Sequence, residues 1–342
     1  MKQLIEKYKR LRKLNRIRKH YQGQYAFIGI GNHSINNLYP VLDYLNVSLK
    51  YIVSNSEETA KTVSEGFSNI EGTTDFEKVL NDEEVKGVFV SVNPKKHFDI
   101  VKKALQKNKH VFVEKPPCYN LDELNQLIKL EKESNGTVLA GFQKRYAPVY
   151  QKIKTYADQA RFYRIHYFTG SYPEGNSVTD LFIHSLDICN YLFGEAKLLS
   201  KQKINNQGGT ETYLLHLQHP NGIIGNVELS TDFWWARAKE SLFVNTDKYL
   251  LESTNTQKLI RTNKPTKIGG IPLEKIKSPE IKQTILYEQN SFLPVAEHNE
   301  LYSAGFYDEI KAFLDICEYK KANKNHSHLM SLINTYQLIS QL

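Results

Sequence analysis

The chain has 342 residues, 40% of them hydrophobic and 24% charged, with a net charge of +8. This length exceeds the usual size of one hydrophobic core and predicts two domains. The three cysteines are too few and too scattered for a disulfide framework or a Cys-x-x-Cys metal site, and no apolar run approaches the roughly 20 residues of a membrane span. We therefore expect a cytoplasmic globular protein without a metal site or a membrane span.

The positive charge lies in one short segment. Residues 1–20 contain nine Lys or Arg and a single acidic residue, whereas the rest of the chain has equal numbers of both signs. Five apolar side chains follow helical spacing there: Leu4, Tyr8, Leu11, Leu14 and Ile17. Residues 1–22 are therefore predicted to form an amphipathic basic helix. We favour packing on the protein's own body or a partner subunit over contact with an anionic membrane surface or a polyanion, and we expect no nucleic-acid partner.

A glycine turn follows the first predicted strand. The strand over residues 24–29 leads into Gly29-Ile30-Gly31-Asn32-His33-Ser34, and a helical pattern comes next. This is the strand, turn and helix of a dinucleotide-binding fold, with Ser34 in the place of the third glycine. Gly29 permits a tight turn, and Gly31 lets the backbone approach a pyrophosphate at the helix N-terminus. We predict cofactor contacts from Gly29, Gly31, Asn32, His33 and Ser34.

The end of the second predicted strand bears on cofactor choice. Residues 47–53 end at Ser54 and Asn55, where an NAD-preferring fold usually has an acid that binds the ribose 2′-hydroxyl. Hydroxyl and amide groups do not repel a 2′-phosphate, so the sequence favours NADP over NAD, with His33 and Lys61 as further candidate donors. No arginine lies beside these residues to strengthen the case. The local alternative is a helix N-cap at Ser56.

Strands and helices alternate up to residue 145. The further predicted elements are helices over residues 75–80 and 95–107 and strands over residues 87–92, 110–113 and 137–141. This alternation predicts an α/β fold with a doubly wound parallel sheet, an N-terminal Rossmann domain over residues 23–145.

Beyond about residue 158 the pattern changes to short strands separated by turns. The predicted strands cover residues 162–168, 212–217, 222–229, 241–244 and 249–252, and the predicted helices cover residues 181–193, 300–319 and 327–339. Such a pattern predicts a second α/β domain, residues 146–342, with a mostly antiparallel open sheet.

Two charged residues follow the predicted strand over residues 110–113. Glu114 and Lys115 come directly before Pro116, which ends the strand. A lysine at the carboxyl end of a parallel strand lies where open α/β sheets bind ligands, and a partly buried ammonium group is a good donor to a reacting oxygen. The alternative is a surface Glu-Lys pair before a turn.

Four polar residues of the following segments are further candidates. Asp180 and His184 are four apart at the start of a predicted helix and share one face. A histidine that titrates near neutrality beside a carboxylate is a good general base. The alternative is local, with Asp180 as a helix cap and His184 as a satisfied buried histidine. Arg145 and Tyr146 are candidate cleft residues, and Arg145 has the geometry to bind an anionic substrate group.

Taken together, these residues resemble the Gfo/Idh/MocA family of oxidoreductases over residues 24–342. The resemblance rests on Gly29-Ile30-Gly31, Asn93-Pro94 with His97, Glu114-Lys115-Pro116, Gly141-Phe142 with Arg145 and Pro148, and the spacing of Asp180 and His184. It implies hydride transfer between a nicotinamide and a secondary alcohol or ketone of a sugar, cyclitol or sugar nucleotide. It also implies a homodimer or homotetramer formed through the C-terminal sheet.

The resemblance also implies residue roles. Lys115 would bind the reacting oxygen, His184 would be the acid/base, and Asp180 would hold the substrate or orient the histidine. The residues expected to bind cofactor are Gly29, Gly31, Asn32, His33, Ser34, Ser54, Asn55, Asn93, Pro94, His97, Glu114 and Lys115. Those expected to bind substrate are Lys115, Arg145, Tyr146, Asp180 and His184.

Two other functions would use the same residues. One is a glycosidase that keeps its nicotinamide bound and oxidises the substrate transiently; the other is a non-catalytic dinucleotide sensor, against which the retention of Lys115, Asp180 and His184 argues. The sequence departs from the family pattern at the acid after the second strand, which is absent, and at a glycine-rich run reduced to Gly175-Asn176-Ser177. The basic segment before residue 24 is not part of that pattern.

Overall fold

The computed structural model describes residues 1–17, 20–67, 69–278, 280–290, 292, 299–323 and 326–342. Residues 18 and 19 of the predicted basic helix lie outside the described residues. The first element is helix α1 (Lys2–Ile17), and two sheets with their covering helices follow. Within the described part of the chain, no helix is both long and apolar enough to span a membrane.

Six parallel strands form the first sheet. They are β1 (Gln24–Ile28), β2 (Ser48–Val53), β3 (Glu71–Thr73), β4 (Val85–Val90), β5 (His110–Glu114) and β6 (Val138–Gly141). Their order is β3-β2-β1-β4-β5-β6, so the direction of winding reverses between β1 and β4. In a doubly wound sheet this reversal opens a crevice at the carboxyl ends of the strands. The predicted Rossmann-type sheet is confirmed.

Helices cover both faces of this sheet. They are α2 (Tyr39–Tyr44), α3 (Glu57–Gly66), α4 (Phe76–Asn81), α5 (His97–Gln106) and α6 (Leu121–Glu133), joined by the C-terminal helices α9 (Glu300–Ser303), α10 (Phe306–Tyr319) and α11 (Ile333–Ile339). Phe313 of α10 packs edge-on against Phe89 and Phe112, with ring centroids 5.0 and 5.9 Å apart. The covering of both faces agrees with the nearly continuous apolar residues of β4 and β5, whose side chains are buried on either side of the sheet.

The second sheet is mostly antiparallel and has eight strands. They are β7 (Ala160–Phe168), β8 (Lys197–Asn205), β9 (Glu211–Gln218), β10 (Ile224–Ser230), β11 (Lys239–Thr246), β12 (Tyr249–Thr254), β13 (Lys258–Asn263) and β16 (Gln283–Glu288), with the hairpin β14 (Lys267–Ile268) and β15 (Ile271–Pro272) before β16. Their order is β16-β13-β12-β11-β7-β10-β9-β8, and only the pairing of β7 with β10 is parallel among the described strands. Helices α7 (Pro148–Lys154) and α8 (Ile183–Phe193) cover one face. The predicted fold class is confirmed.

The sequence pattern missed several elements. Strands β3, β8 and β16 lie at sheet edges, and β8 is exposed along most of its length, so it has no buried alternating side chains to reveal it. The helix predicted over residues 300–319 is broken at Gly305, whose φ is +100°. A Cβ atom at Gly305 would lie 2.0 Å from the carbonyl oxygen of Gln143, so only glycine allows this close approach.

A buried ion pair joins the end of the first sheet to helix α8. Arg145, only 3% exposed, donates from Nε to Oδ2 of Asp187 at 2.7 Å and from Nη2 to Oδ1 at 2.5 Å. Its Nη1 donates to the hydroxyl of Ser331 at 2.8 Å. The hydroxyl of Tyr146 accepts a hydrogen bond from the backbone N–H of Ser327 at 3.1 Å.

The proposed substrate contacts of Arg145 and Tyr146 are therefore wrong. Both side chains are buried, and the guanidinium group is saturated by protein acceptors, so it has no free donor for an anionic substrate. Both residues hold the C-terminal segment and α8 against the Rossmann sheet.

Replacing Arg145 with methionine should destabilise the protein by about 3–5 kcal/mol, because the Asp187 carboxylate stays buried without a counter-ion. Urea unfolding and the Tm measure the loss. The double variant Arg145→Met/Asp187→Leu should recover most of it, since no unpaired charge remains.

The matched control is Arg161→Met, which removes an exposed pair with Asp247 whose side chains are 68% and 58% exposed. We expect it to change the stability by less than about 1 kcal/mol. An Arg145→Met protein with an unchanged Tm and a raised KM would restore the substrate role.

Candidate active site

A cleft of about 580 Å³ opens at the carboxyl ends of β1, β2 and β4. This volume falls in the range of roughly 300–1,000 Å³ that small-molecule sites occupy. Its described lining includes the predicted residues Gly29, Gly31, Asn32, His33, Ser34, Ser54, Asn55 and Asn93. Apolar side chains of Ile28, Val53, Phe76 and Ile100 line it as well. Eight of the twelve residues predicted to bind cofactor therefore border this cleft, whereas Glu114 and Lys115 are absent from its described lining.

The glycine turn forms one wall of the cleft. Gly29 has a φ of +107°, and a Cβ atom there would lie 2.1 Å from the carbonyl oxygen of Ser91. A Cβ atom at Gly31 would meet no heavy atom within 4 Å, so its backbone borders open space. The buried hydroxyl of Ser34 accepts from the Gly31 N–H and donates to the Gly31 carbonyl, both at 2.9 Å. These features fit a dinucleotide pyrophosphate against the turn.

His33 links this turn to the end of β5. Its Nε2 lies 3.1 Å from Oε1 of Glu114, whose side chain is 9% exposed. Burial alone would lower the pKa of His33, but the hydrogen bond and the charge of Glu114 outweigh it and leave that pKa raised. Burial works to raise the pKa of Glu114, whereas His33 and Lys115 bring that pKa below its usual value. The pair therefore favours an imidazolium and a carboxylate.

His97 does not reach the cleft. Its ring is 1% exposed and lies between two backbone carbonyls, with Nδ1 2.8 Å from Pro116 O and Nε2 3.1 Å from Val92 O. The predicted cofactor contact of His97 is corrected to a positioning role, in which the ring fixes the loops that follow β4 and β5. Pro94 begins a single turn of 3₁₀ helix and is absent from the described lining, whereas Asn93 borders the cleft.

Lys115 extends from the end of β5 towards the segment before α8. Its ammonium group donates a hydrogen bond to the backbone carbonyl of Asp180. Burial lowers the pKa of Lys115, while the nearby charges of Glu114 and Asp180 oppose that effect. The structure therefore brings Lys115 to the backbone of Asp180, two residues that the family resemblance places in one site. The ammonium group has further N–H donors for a ligand oxygen.

Asp180 and His184 do not form the predicted carboxylate–histidine pair. The Asp180 carboxylate accepts from the backbone N–H of Asn176 at 3.0 Å and from the hydroxyl of Thr179 at 3.2 Å. The residues Val178–Phe182 form a π-helical turn, which changes the spacing by which side chains four apart would stack in an α-helix. Asp180 therefore does not orient His184, which leaves substrate binding as its predicted role.

The His184 imidazole is buried near positively charged lysine side chains. Its side chain is 8% exposed, and its Nδ1 has no hydrogen-bond partner among the described residues. Burial, followed by the charges of Lys115 and Lys144, lowers the pKa of His184 well below its ordinary value. The ring meets that of Phe142 edge-on at 5.7 Å. A buried imidazole with an unpaired nitrogen is ready to take a proton from a bound hydroxyl group.

Sequence reasoning missed two residues beside this site. Lys144 follows β6 and lies 2.5 Å from Oε1 of Glu240 on β11, with its Nζ 4.9 Å from the centre of the Tyr167 ring. Its position after a parallel strand, like that of Lys115, was the available signal. Tyr172 lies near Asp180; burial and that carboxylate raise the pKa of Tyr172 to about 12. Its ring stacks on Trp235, 5.9 Å away.

The sheet order, the glycine turn and the cleft define a dinucleotide-binding protein of the Rossmann type. Residues 24–142 match the family described as "Oxidoreductase family, NAD-binding Rossmann fold". This match supports the predicted resemblance to the Gfo/Idh/MocA family of oxidoreductases over residues 24–142.

Known proteins are similar to this chain at low identity. One is the scyllo-inositol 2-dehydrogenase (NAD(+)) of Bacillus subtilis, 25% identical over 173 residues, which are 45% of this chain and 51% of that protein. The chain spans about half the length of the curated relatives it matches.

Two solved structures share the fold. A dehydrogenase from Chromobacterium violaceum has a TM-score of 0.78 and 18% identity, with 94% of each chain covered. A 3-ketoreductase, KijD10, from Actinomadura kijaniata in complex with TDP-benzene and NADP has a TM-score of 0.72 and 13% identity, covering 94% of this chain and 96% of that one. At these identities the likeness shows the fold alone.

The Glu114→Gln substitution should move the pKa of His33 from above about 6.5 to below it, because burial remains and the carboxylate charge is lost. An NMR pH titration of the histidine ring protons measures the shift. In the same spectra His184 should stay neutral well below that pH.

The internal control is His219, which is buried against Tyr163 far along the chain and whose lowered pKa should not respond to the substitution. A His33 that titrates at or below the ordinary value in the unmodified protein would mean that the pair with Glu114 does not form in solution.

Proposed function

We propose that the protein is an NAD(P)-dependent oxidoreductase that interconverts a secondary alcohol and a ketone on a sugar, cyclitol or sugar nucleotide. The observation that supports this most is that the half-buried Lys115 ammonium group acts on the unpaired His184 imidazole, while Glu114, the residue before Lys115, contacts His33 in the lining of a dinucleotide-sized cleft. The family and a relative named as an inositol dehydrogenase favour the same reaction class.

The cofactor would lie along the glycine turn, with its pyrophosphate at Gly31 and its adenosine half near Ser54 and Phe76. Its nicotinamide supplies hydride exchange with the substrate carbon. The residues of this chain supply binding, orientation and proton transfer. The described lining fits such a group in size, in the close-packed Gly29 and in the open space at Gly31.

Lys115 is proposed to bind the substrate oxygen. Its ammonium group keeps the Asp180 carbonyl as one acceptor and donates another N–H to the alcohol or ketone oxygen. A positive charge in a partly buried site stabilises the negative charge that develops on this oxygen during the reaction. Burial, and after it this same charge, lowers the pKa of His184 and keeps its imidazole neutral.

His184 is proposed as the acid/base. In the oxidation direction the neutral imidazole accepts the hydroxyl proton, and in the reduction direction the imidazolium returns a proton to the oxygen. Because burial and the charges of Lys115 and Lys144 disfavour a third positive charge, the imidazolium gives up its proton readily. Asp180, held by Asn176 and Thr179, is proposed to bind a neighbouring substrate hydroxyl group.

The cofactor is proposed to be NADP in preference to NAD. The described lining of the cleft contains Lys96 and no carboxylate, and Ser54 stands where an acid would repel a 2′-phosphate. The hydroxyl hydrogen of Ser54 is already donated to the carbonyl of Ser56 at 2.8 Å, so the preference rests on the missing acid and on Asn55 and Lys96 as donors. Lys61 is ion-paired with Glu65 and is not in the described lining.

The protein is further proposed to be cytoplasmic and to assemble as a homodimer or homotetramer through the second sheet. The edge strand β16, the hairpin and the segment between them expose apolar side chains that a second copy would cover: Ile268, Ile271, Ile276, Ile281 and Ile285. The domain division at residues 22 and 145 stays a prediction.

Replacing Lys115 with methionine should lower kcat about 100- to 1,000-fold, because the oxygen loses its charged donor while the side-chain length is kept. Cofactor affinity should change by less than about twofold. The measurement is NAD(P)H absorbance with inositols, monosaccharides and nucleotide sugars as test substrates, together with cofactor titration.

Lys95→Met is the control, since Lys95 is exposed and is absent from the described cleft lining. A variant at Lys115 that turned over normally at saturation but no longer bound cofactor would contradict the role of Lys115. Turnover without net change in NAD(P)H would instead identify the transient-oxidation glycosidase.

Fluorescence titration should show tighter binding of NADPH than of NADH, and Ser54→Asp should reverse this order by at least about tenfold through repulsion of the 2′-phosphate. The neutral variant Ser54→Asn, of similar shape, should keep the original order. A native preference for NADH would refute the NADP proposal and leave the oxidoreductase proposal intact.

A further inference from the structure

Helix α1 exposes an apolar face that the described residues of the chain leave uncovered. Leu4, Tyr8 and Leu11, spaced four and three residues apart, are 72%, 66% and 57% exposed, and Ile5 and Leu14 flank them at 47% and 49%. Such spacing puts these side chains along one side of the helix. Our expectation that this face packs on the body of the same chain is therefore wrong for the described residues.

The rest of the helix is strongly cationic. Between Lys2 and Ile17 the sequence contains seven Lys or Arg and only one acidic residue, Glu6, which lies 3.2 Å from Lys9. The chain after residue 20 has equal numbers of acidic and basic residues. Six of the eight excess positive charges thus lie in α1 beside an uncovered apolar stripe, and the sequence adds the other two at Arg18 and Lys19.

The chain joins the folded body immediately after this helix. Tyr21 is 3% exposed and donates its hydroxyl hydrogen to Oδ1 of Asp315 at 2.9 Å. The backbone N–H of Gly23 donates to Glu318 at 2.7 Å. Both acceptors lie on α10, which packs on the Rossmann sheet. The chain is therefore attached to α10 within a few residues of the end of α1.

We compare three partners for such a helix. The partner has to neutralise the positive charges and also cover the apolar stripe. A second α1 helix would bring two strongly cationic helices together, and like charges repel. A nucleic acid would neutralise the cations but leave exposed leucine and isoleucine side chains in water. An anionic bilayer surface meets both requirements, because its headgroups attract the cations and its acyl boundary buries the apolar stripe.

We propose that α1 is a peripheral membrane anchor that lies in the plane of an anionic phospholipid surface and holds this protein there. Leu4, Tyr8 and Leu11 enter the acyl boundary, and the lysines and arginines around them contact the headgroups. This inference does not depend on the reaction that the protein catalyses.

The test is flotation of the full chain with vesicles of phosphatidylcholine alone or with about 30% phosphatidylglycerol. We expect binding to the anionic vesicles only, with loss of binding as NaCl rises from about 0.1 to about 0.5 M. Leu4→Gln/Leu11→Gln and Lys7→Glu/Arg10→Glu should each weaken binding by at least about tenfold.

The matched control is Lys129→Glu/Lys132→Glu, an equal charge reversal on the exposed side of α6, which should leave binding unchanged. All variants should keep the Tm and the cofactor affinity of the parent protein. Equal binding to both kinds of vesicle, no binding to either, tighter binding to duplex RNA or DNA than to anionic vesicles, or self-association through α1 in place of vesicle binding would each overturn the proposal.

Discussion

The buried ion pair between Arg145 and Asp187 is the interaction on which the geometry of the site depends. Asp187 lies one turn after His184 on α8, and Arg145 follows the end of β6, so the pair clamps the helix with the acid/base candidate to the Rossmann sheet. Both partners are almost fully buried, and each makes further hydrogen bonds to the C-terminal segment. Separating the two side chains would leave an unpaired charge in the interior. This free-energy cost keeps α8 in place against the end of β6.

Around that junction burial and the nearby charges keep His184 neutral, and the charges keep Glu114 ionised despite its burial. Lys115 and Lys144 both act on His184, while His33 and Lys115 both act on Glu114. The protonation states of the glycine turn, the end of β5 and α8 are therefore coupled, although these segments are far apart in the chain. Binding of an anionic cofactor beside His33 would add to the same balance of charges.

The Rossmann half was predictable because its signals are local. Strand, turn and helix follow one another within short stretches, and glycine at position 29 is required by a backbone geometry that no other residue adopts without strain. The sequence did not predict edge strands such as β3 and β8, because an exposed strand has no buried face that requires apolar and polar residues to alternate. The sequence did not predict the helix break at Gly305, because the break is caused by a contact with Gln143, more than a hundred residues earlier.

The sequence by itself determined the fold class, the glycine turn, the position of Lys115 at a strand end and the separation of a basic helix from a neutral body, since each depends on residue type and short-range spacing. Only the tertiary structure decided what the polar side chains contact. Arg145 looked like a ligand for an anionic substrate and is a buried structural cation, because Asp187 reaches it from α8. Asp180 and His184 looked like a pair and are separate, because a π-helical turn changes their spacing and because Asn176 and Thr179 bind the Asp180 carboxylate. Side-chain partners are set by the packing of distant segments, which local spacing does not specify.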